Sequence, residues 1–183
     1  MIKFYKVSFE QYLKDFRNCN PLSTLSDDEI RKIYDNIKLP KRATKGSAGY
    51  DISIPLTYKA PIIIEPGESV KINSGIAACM PKGIVLLLFV RSSIGIKRGL
   101  VLTNGTGVID SDYYGNPTNK GEIIIALRNT SNDKVILKPG ERVIQGIFVP
   151  YFLTAEDESE LETAKYKERQ GGIGSTNKEQ YDA

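Results

Sequence analysis

The sequence predicts an all-β sandwich or barrel that begins near residue 40. From there, short apolar runs alternate with turn residues at intervals of about ten, a pattern typical of folds with many short strands. Glycine and proline mark the breaks, as in Pro66-Gly67 and Pro139-Gly140. The Gly-rich C-terminal segment after residue 155 has too little apolar surface to fold alone. The predicted strands are 62–64, 70–78, 84–90, 100–102, 123–127, 135–137 and 143–149.

The first 39 residues predict two short amphipathic helices. Ser8 with Gln11, and Ser26 with Glu29, have the spacing of an N-terminal capping box. The apolar residues that follow recur every three or four positions, so each helix has one apolar face. We expect this α-helical N-terminal extension (1–39) to cover a sheet face, a subunit boundary or an unidentified partner. The apolar positions are Phe9, Tyr12, Leu13, Phe16, Ile30, Ile33, Tyr34 and Ile37.

The composition limits the kinds of partner and of catalytic group that the protein can have. A chain of 183 residues with 40% hydrophobic residues fits one globular domain with a real core. The net charge of +3 gives no reason to expect a nucleic-acid partner, and the longest apolar run, 84–90, is far too short to cross a membrane. Cys19 and Cys79 match no metal or redox spacing, so we expect a reduced, cytoplasmic protein. Histidine is absent, which excludes Ser-His and Cys-His nucleophiles and the usual zinc sites.

Residues 104–116, N-G-T-G-V-I-D-S-D-Y-Y-G-N, carry the strongest functional signal. Glycines that allow tight backbone and close approach to a ligand surround two aliphatic residues of the kind found in strands. We expect a hairpin whose main chain faces a small molecule, such as a nucleobase, and whose tip carries an acid, Asp110. The Asn104 amide offers a donor and an acceptor to one edge of a base. Asp110, at the end of the aliphatic pair, could orient and deprotonate a water molecule.

Four other segments have residue types suited to phosphate or metal chemistry. The first is A-G-Y-D-I at 48–52, with Asp51 at a strand start. The second is R-S-S at 91–93, where one guanidinium, two hydroxyls and backbone N–H groups suit a phosphate chain. P-G-E-R-V-I-Q at 139–145 and G-G-I-G-S-T at 171–176 complete the set. Taken singly, each also has an ordinary interpretation as a turn, a structural ion pair or a frayed terminus.

Together, these five segments in this order closely resemble the motifs of the trimeric dUTP pyrophosphatase (dUTPase) family. The resemblance covers about residue 40 to residue 177. It implies a distorted jelly-roll core (40–154), a homotrimer, and a flexible C-terminal arm (155–183) that closes over a neighbouring subunit's active site. It also implies Mg²⁺-assisted hydrolysis of dUTP to dUMP and pyrophosphate, which keeps uracil out of DNA and supplies dUMP for dTMP synthesis.

The resemblance assigns roles to particular residues. Asp110 would activate the water that attacks the α-phosphate, and Tyr113 would stack under the deoxyribose and exclude a 2′-hydroxyl. Asp51 would act on a metal through water. The residues implied to bind uracil are Asn104, Gly107, Val108, Ile109 and Ile124. Those implied to hold the triphosphate or cover the substrate are Arg91, Ser92, Ser93, Gln145, Arg169, Ile173, Gly174, Ser175 and Thr176.

Three features depart from the family pattern or lie outside it. Ile173 stands where the family usually has an aromatic residue, and Arg169 precedes it with Gln170 between the arginine and the glycines. The stretch 117–121 lengthens the connection after the proposed hairpin, with no role readable from sequence. Two alternatives stay open: a dCTP deaminase of the same superfamily, and a nucleotide-responsive regulatory protein that uses the N-terminal helices as its interface.

Overall fold

In a computed structural model, residues 1–55, 61–157, 169 and 171 are described. The helices are α1 (Phe9–Cys19), α2 (Asp27–Asp35) and α3 (Ser92–Arg98), and a 3₁₀ turn spans Ser111–Tyr113. The strands are β1 (Lys3–Lys6), β2 (Lys41–Arg42), β3 (Tyr50–Ser53), β4 (Ile62–Ile64), β5 (Ser69–Asn73), β6 (Ile76–Cys79), β7 (Ile84–Val90), β8 (Leu100–Leu102), β9 (Gly107–Ile109), β10 (Ile124–Asn129), β11 (Val135–Leu137) and β12 (Arg142–Pro150).

The strands form antiparallel sheets around one core. The largest sheet has the order β2-β3-β12-β7-β9, and a second has the order β5-β10-β8. Two further pairs are β1-β6 and β11-β4. Fully buried aliphatic residues such as Ile52, Ile72, Leu86, Ile125 and Ile144 come from both larger sheets, so the sheets share a single apolar interior. The mostly β architecture agrees with the predicted fold class.

Both predicted N-terminal helices are confirmed. The Ser8 side chain caps α1 by accepting from the N–H of Gln11, and Ser26 with Glu29 forms the complete capping box of α2. Apolar residues on one face of each helix are buried, among them Tyr12 and Ile30. The two helices therefore pack on the sheets through the faces that their periodicity predicts.

A strand that the sequence did not reveal precedes these helices. β1 pairs with β6 along its whole length, from Lys3 opposite Cys79 to Lys6 opposite Ile76. Phe4 of this strand is buried and packs against the rings of Tyr50 and Phe148 at centroid distances of 5.5 and 5.4 Å. The N-terminal extension is therefore part of the β architecture as well as a pair of helices.

Two further differences from the predicted elements affect the site. The predicted strand 70–78 is divided into β5 and β6 by Ser74-Gly75, where Gly75 has a φ of +68°. Helix α3 was not predicted, because seven residues with two β-branched residues and a glycine have low intrinsic helix propensity. It begins directly after Arg91 and ends at the left-handed Gly99. Within the described residues, no helix has the length and apolar character needed to cross a membrane.

Candidate active site

The first group of predicted residues meets where β7 ends and α3 begins. Asp51 Oδ1 lies 3.0 Å from Arg91 Nε, and Asp51 Oδ2 lies 2.8 Å from Arg142 Nη1. Gln145 is the partner of Asp51 in the β12–β3 pairing. We call Asp51, Arg91, Arg142 and Gln145 the arginine cluster. The alternative interpretation of Arg142 as a member of a structural ion pair agrees with this contact.

The charges of the arginine cluster favour an anionic ligand. The Asp51 side chain is only 8% exposed, whereas that of Arg142 is 51% exposed. Two guanidinium groups share one carboxylate, so the cluster keeps a net positive charge beside solvent. Ser92 and Ser93 follow Arg91 as exposed residues in the first turn of α3, where backbone N–H groups have no intrahelical acceptor. The local chemistry therefore suits phosphate oxygens.

Gly49 brings the first and fourth motifs into contact. A Cβ atom at Gly49 would lie 2.6 Å from Oε1 of Gln145, closer than real Cβ atoms approach. A glycine is therefore required if the Gln145 side chain is to keep this position. This contact ties the conformation of segment 48–52 to the polar end of Gln145.

The second group of predicted residues lies on β9 and the turn before it. Gly105 has a φ of +72°, its N–H donates to Leu102 O at 3.0 Å, and the N–H of Thr106 donates to Asn104 O at 2.8 Å. The turn is therefore as tight as the glycines predict. The predicted hairpin with Asp110 at its tip is wrong, however, because Asp110 begins a 3₁₀ turn and the strands on either side of Gly105 are not paired with each other. β8 pairs with β10, and β9 pairs with β7.

This correction has a physical basis and a consequence. The β8–β9 connection joins the two larger sheets, because each arm satisfies its backbone groups on a strand of a different sheet. β9 is then the last strand of the five-stranded sheet, and one row of its main-chain groups faces away from β7. Gly107 is buried against Leu88, where an added Cβ would lie at 3.0 Å. Val108 is 57% exposed, so β9 presents this aliphatic side chain beside its unpaired main-chain groups.

Asp110 follows β9 directly and caps the 3₁₀ turn with extended backbone. Its carboxylate oxygen Oδ2 accepts from Arg169 Nη2 at 2.7 Å, and Arg169 Nε donates to Asp112 Oδ1 at 2.8 Å. The Arg169 guanidinium also lies 5.7 Å from the centre of the Tyr113 ring. One arginine from the C-terminal segment therefore covers the two positions to which the resemblance assigns water activation and deoxyribose stacking.

Tyr113 is buried and held through its hydroxyl group. It is only 8% exposed, its hydroxyl donates to Glu122 O at 3.0 Å, and Asn119 Nδ2 donates to the same hydroxyl at 2.7 Å. Burial raises the pKa of Tyr113, so the phenol stays neutral. Ile124, the other residue implied to lie near the base, begins β10 opposite Asn73 and is half-buried.

The two groups lie apart within one chain. Ile109, the residue before Asp110, pairs with Leu86, and Leu86 lies five residues before Arg91. At the rise of an extended strand, this separation is on the order of 16 Å. A single chain therefore does not bring Asp110 and Arg91 to the same phosphate group.

Some predicted residues cannot be placed, and some important residues were missed. Ile173, Gly174, Ser175 and Thr176 lie outside the described residues. Sequence reasoning missed a group of polar residues, all buried except the half-buried Asn119, between α1 and the segment that follows Tyr113. These residues carry no motif, and only the polar character of 116–122 next to an aliphatic strand sets them apart in the sequence. They are Gln11, Asp15, Asn73, Asn116, Asn119 and Glu122.

Known proteins resemble this chain in sequence over most of its length. The family model for dUTPase matches residues 35–177. The chain is 44% identical over 140 residues to the deoxyuridine 5′-triphosphate nucleotidohydrolase of Lactococcus lactis, a match that covers 76% of this chain and 88% of that protein. It is 42% identical over 117 residues to the protein of the same name from Desulfitobacterium hafniense, covering 63% of this chain and 72% of that protein.

Solved structures resemble it as well. The dUTPase from Streptococcus mutans superposes with a TM-score of 0.58 at 45% identity, covering 66% of this chain and 90% of that chain. The dUTPase from phage phi11 of S. aureus superposes with a TM-score of 0.59 at 20% identity, covering 84% of this chain and 92% of that chain, a likeness of fold alone. These likenesses confirm the predicted jelly-roll class. With a family model matching from residue 35 to residue 177, the chain belongs to the dUTPase family.

Proposed function

We propose that this protein hydrolyses dUTP to dUMP and pyrophosphate. Family membership supports the reaction, and the geometry of β9 supports the choice of substrate. An edge strand with exposed main-chain groups can pair with the polar edge of a uracil, and the exposed Asn104 side chain lies at the turn before it. Cytosine would place a donor where uracil has an acceptor. A site built on such hydrogen bonds rejects the mismatched base by about 10⁴–10⁵.

The observation that carries the proposal is the separation of Asp110 from the arginine cluster. The phosphate chain must touch both groups, and the strand register keeps them on the order of 16 Å apart in one chain. A second copy that brings its arginine cluster to Asp110 resolves this conflict. We therefore propose that the site is shared between copies, in the homotrimer that the family resemblance implies.

The chemistry at the proposed site follows from the chain's own groups. Asp110 accepts a proton from water as the water oxygen forms a bond to the α-phosphorus. The bond from that phosphorus to the bridging oxygen breaks, and its electron pair leaves with pyrophosphate. Arg91, the hydroxyls of Ser92 and Ser93, and Gln145 would hold the phosphate oxygens in line. Asn104 and β9 would hold the base, and Tyr113 the sugar.

Arg169 has to move before Asp110 can act. In the structure its guanidinium group donates a hydrogen bond to a carboxylate oxygen of Asp110 and lies over the ring of Tyr113. A phosphate chain offers this arginine more negative charge than Asp110 and Asp112 do, so we propose that Arg169 transfers to the triphosphate when the nucleotide binds. Ile173, Gly174, Ser175 and Thr176 would close over the nucleotide as part of the same arm.

We propose that Mg²⁺ binds at this site together with the substrate. Among the described residues there is no group of three carboxylate or thiolate ligands that could hold a metal ion, and both oxygens of Asp51 already face arginines. Mg²⁺ commonly binds to substrate phosphates and water with one or two protein carboxylates. When bound, it would neutralise charge on the phosphates. The influence of Asp51 on such an ion through water stays a prediction.

The test is release of pyrophosphate from dUTP, dCTP, dTTP and UTP, each with and without Mg²⁺. We expect release from dUTP to exceed release from dCTP by about 10⁴ or more. Ammonia produced from dCTP would instead identify a deaminase. Tight binding of dUTP without release of either product would favour a nucleotide-responsive regulatory protein.

A further inference from the structure

Helix α1 contacts the connection that follows the proposed active-site residues. Gln11 Nε2 donates to Thr118 O at 3.4 Å, and Lys14 Nζ donates to the same oxygen at 3.3 Å. Gln11 is only 8% exposed and also donates to Asp15 Oδ2 at 2.8 Å. The stretch 117–121, which lengthens this connection, is therefore a docking point for the N-terminal extension.

Residues 116–122 form hydrogen bonds with both the side chain and the main chain of Tyr113. At the side chain, Asn119 donates to the Tyr113 hydroxyl at 2.7 Å, and that hydroxyl donates to Glu122 O at 3.0 Å. At the main chain, Asn116 Nδ2 donates to Tyr113 O at 2.8 Å. A displacement of this loop would therefore displace the ring that we assign to the deoxyribose.

Glu122 joins α1 to the same loop below the surface. Its side chain is fully buried, and Oε1 accepts from the N–H of Gly75 at 2.8 Å. Oε2 has no hydrogen-bond partner among the described residues. Burial raises the pKa of Glu122 to about 9, with a hydrogen bond to Asp15 as the second cause. At neutral pH Glu122 therefore keeps its proton and is uncharged, with the Asp15 carboxyl group close by.

Three other titratable groups lie near Glu122 and Asp15, and one of them, Lys71, is a cation. Cys19 lies near it on α1, and Tyr113 on the 3₁₀ turn; burial is the main cause of a raised pKa in each, so both stay neutral. Lys71 on β5 acts on the same Cys19 thiol in the opposite direction. The hydrogen bonds of Gln11 and Lys14 to Thr118 O are the direct contacts between α1 and the loop.

We propose that α1 is a positioning element for the nucleotide site: Gln11 and Asp15 fix residues 116–122, and these fix Tyr113 under the deoxyribose. The assignment of the ring to the sugar rests on the proposed hydrolysis of dUTP. Helix α1 precedes residue 35, where the family match begins, so this support comes from outside the matched region. Gln11 and Asp15 touch no substrate atom and act through Tyr113.

The kinetic test compares Asp15→Ala with Asp15→Asn in the full chain. Asp15→Ala removes the acceptor of Gln11 and the partner of Glu122, so we expect KM for dUTP to rise about tenfold and kcat to change less than about threefold. The preference for dUTP over UTP should narrow by about tenfold, because a displaced Tyr113 no longer excludes the 2′-hydroxyl. Asp15→Asn keeps an acceptor and gains a donor for Glu122, so it should restore both values.

Asp28→Ala is the matched control. It makes the same substitution at an exposed acidic residue of the same extension, in the first turn of α2. If Asp15→Ala lowers thermal stability yet keeps the KM and the dUTP preference of Asp28→Ala, helix α1 serves stability alone and the positioning role is overturned. Should Asp15→Ala fail to fold, Gln11→Ala takes its place in every measurement. Gln11→Ala removes the hydrogen bonds to Asp15 and Thr118 and should cost less stability.

Amide hydrogen exchange separates this coupling from the proposed activity. In Asp15→Ala, peptides covering residues 111–123 should exchange at least about tenfold faster than in Asp28→Ala. Unchanged exchange there would overturn the coupling whatever nucleotide the protein uses. Faster exchange with unchanged kinetics would overturn the link to Tyr113. A wild-type protein that releases no pyrophosphate would contradict the proposed function and leave the exchange result to decide the coupling.

Discussion

Asp110 stands where an edge strand passes into a 3₁₀ turn, and its side chain is 50% exposed. This position lets the carboxylate reach solvent while the backbone on both sides is fixed by β9 and by the buried Tyr113. A general base needs both properties, because it must receive a proton from water in one geometry.

Asp110→Asn should lower kcat by about 10²–10⁴ while KM for dUTP stays nearly the same, since the amide keeps the shape but does not accept the proton. Steady-state pyrophosphate release measures both values. Asp112→Asn is the matched control: it makes the same change two positions later and also loses a contact with Arg169. Equal turnover of the two variants would remove Asp110 from its assigned role.

At the scale of elements, the conformation of the connection 116–122 depends on Gly121. Gly121 has a φ of +85°, and a Cβ there would lie 2.7 Å from Tyr113 O and 2.8 Å from Tyr114 Cα. Both neighbours belong to the main chain, so neither can rotate away. The loop therefore closes against the 3₁₀ turn only with a residue that has no side chain.

Gly121→Ala should lower the free energy of unfolding by about 2–4 kcal/mol, because left-handed strain and overpacking combine. Urea unfolding at equal protein concentration measures the loss. Gly46→Ala provides the control, because a Cβ at Gly46 meets nothing within 4 Å. A cost for Gly121→Ala no larger than that of Gly46→Ala would mean that the loop relaxes without penalty.

The buried carboxyl pair between α1 and this loop makes stability depend on pH. Glu122 has a pKa of about 9 in the folded protein and 4.5 as its ordinary value. Between these values the folded state holds a proton that the unfolded state has lost, so this contribution is full below pH 4.5 and declines as pH rises towards 9.

Glu122→Gln removes this titration while keeping the shape of the side chain. From pH 5 to pH 9, the unfolding free energy of the wild type should therefore fall relative to that of the variant by up to about 1.4 kcal/mol per pH unit. Urea unfolding across this range gives the difference. Parallel pH curves for the two proteins would show that Glu122 is ionised in the folded state.

The whole molecule poses a problem of assembly, since Asp110 and Arg91 lie too far apart in one chain for one phosphate. Mixed oligomers of two variants test the proposed shared site directly. Asp110→Asn and Arg91→Ala should each be inactive alone, yet chains refolded together should regain activity at about one quarter of the interfaces, where both wild-type residues meet. Separately refolded and then pooled variants are the control. No recovery in the mixture would place both residues in sites made by one chain.

Local patterns predicted much of this architecture. Apolar periodicity and capping residues gave both N-terminal helices, and the aliphatic runs gave β4, β7, β8 and β11 with the bounds that the structure has. These features depend on neighbours in sequence, which a single chain displays. The spacing of glycines likewise predicted the tight turn at Gly105.

The pairing of strands that are distant in sequence could not be predicted from local patterns. The predicted hairpin with Asp110 at its tip was wrong, because β9 pairs with β7, β8 pairs with β10 in a different sheet, and Asp110 begins a 3₁₀ turn. Strand β1 has four residues, too few to show a period, and it is defined by its pairing with β6. Glu122 next to an aliphatic run would ordinarily be exposed, and its burial depends on partners distant in sequence, such as the N–H of Gly75.

The pairing of β1 with β6 bears on how the protein can be handled. Met1 is 94% exposed, so an affinity tag fused there would extend into solvent. Shortening the chain to the boundaries of the family match would have the opposite effect. It would strip the ring of Phe4 from Tyr50 and Phe148 and open the hydrogen-bonding edge of β6. An expression clone trimmed in that way should aggregate, because a bare strand edge recruits other strands.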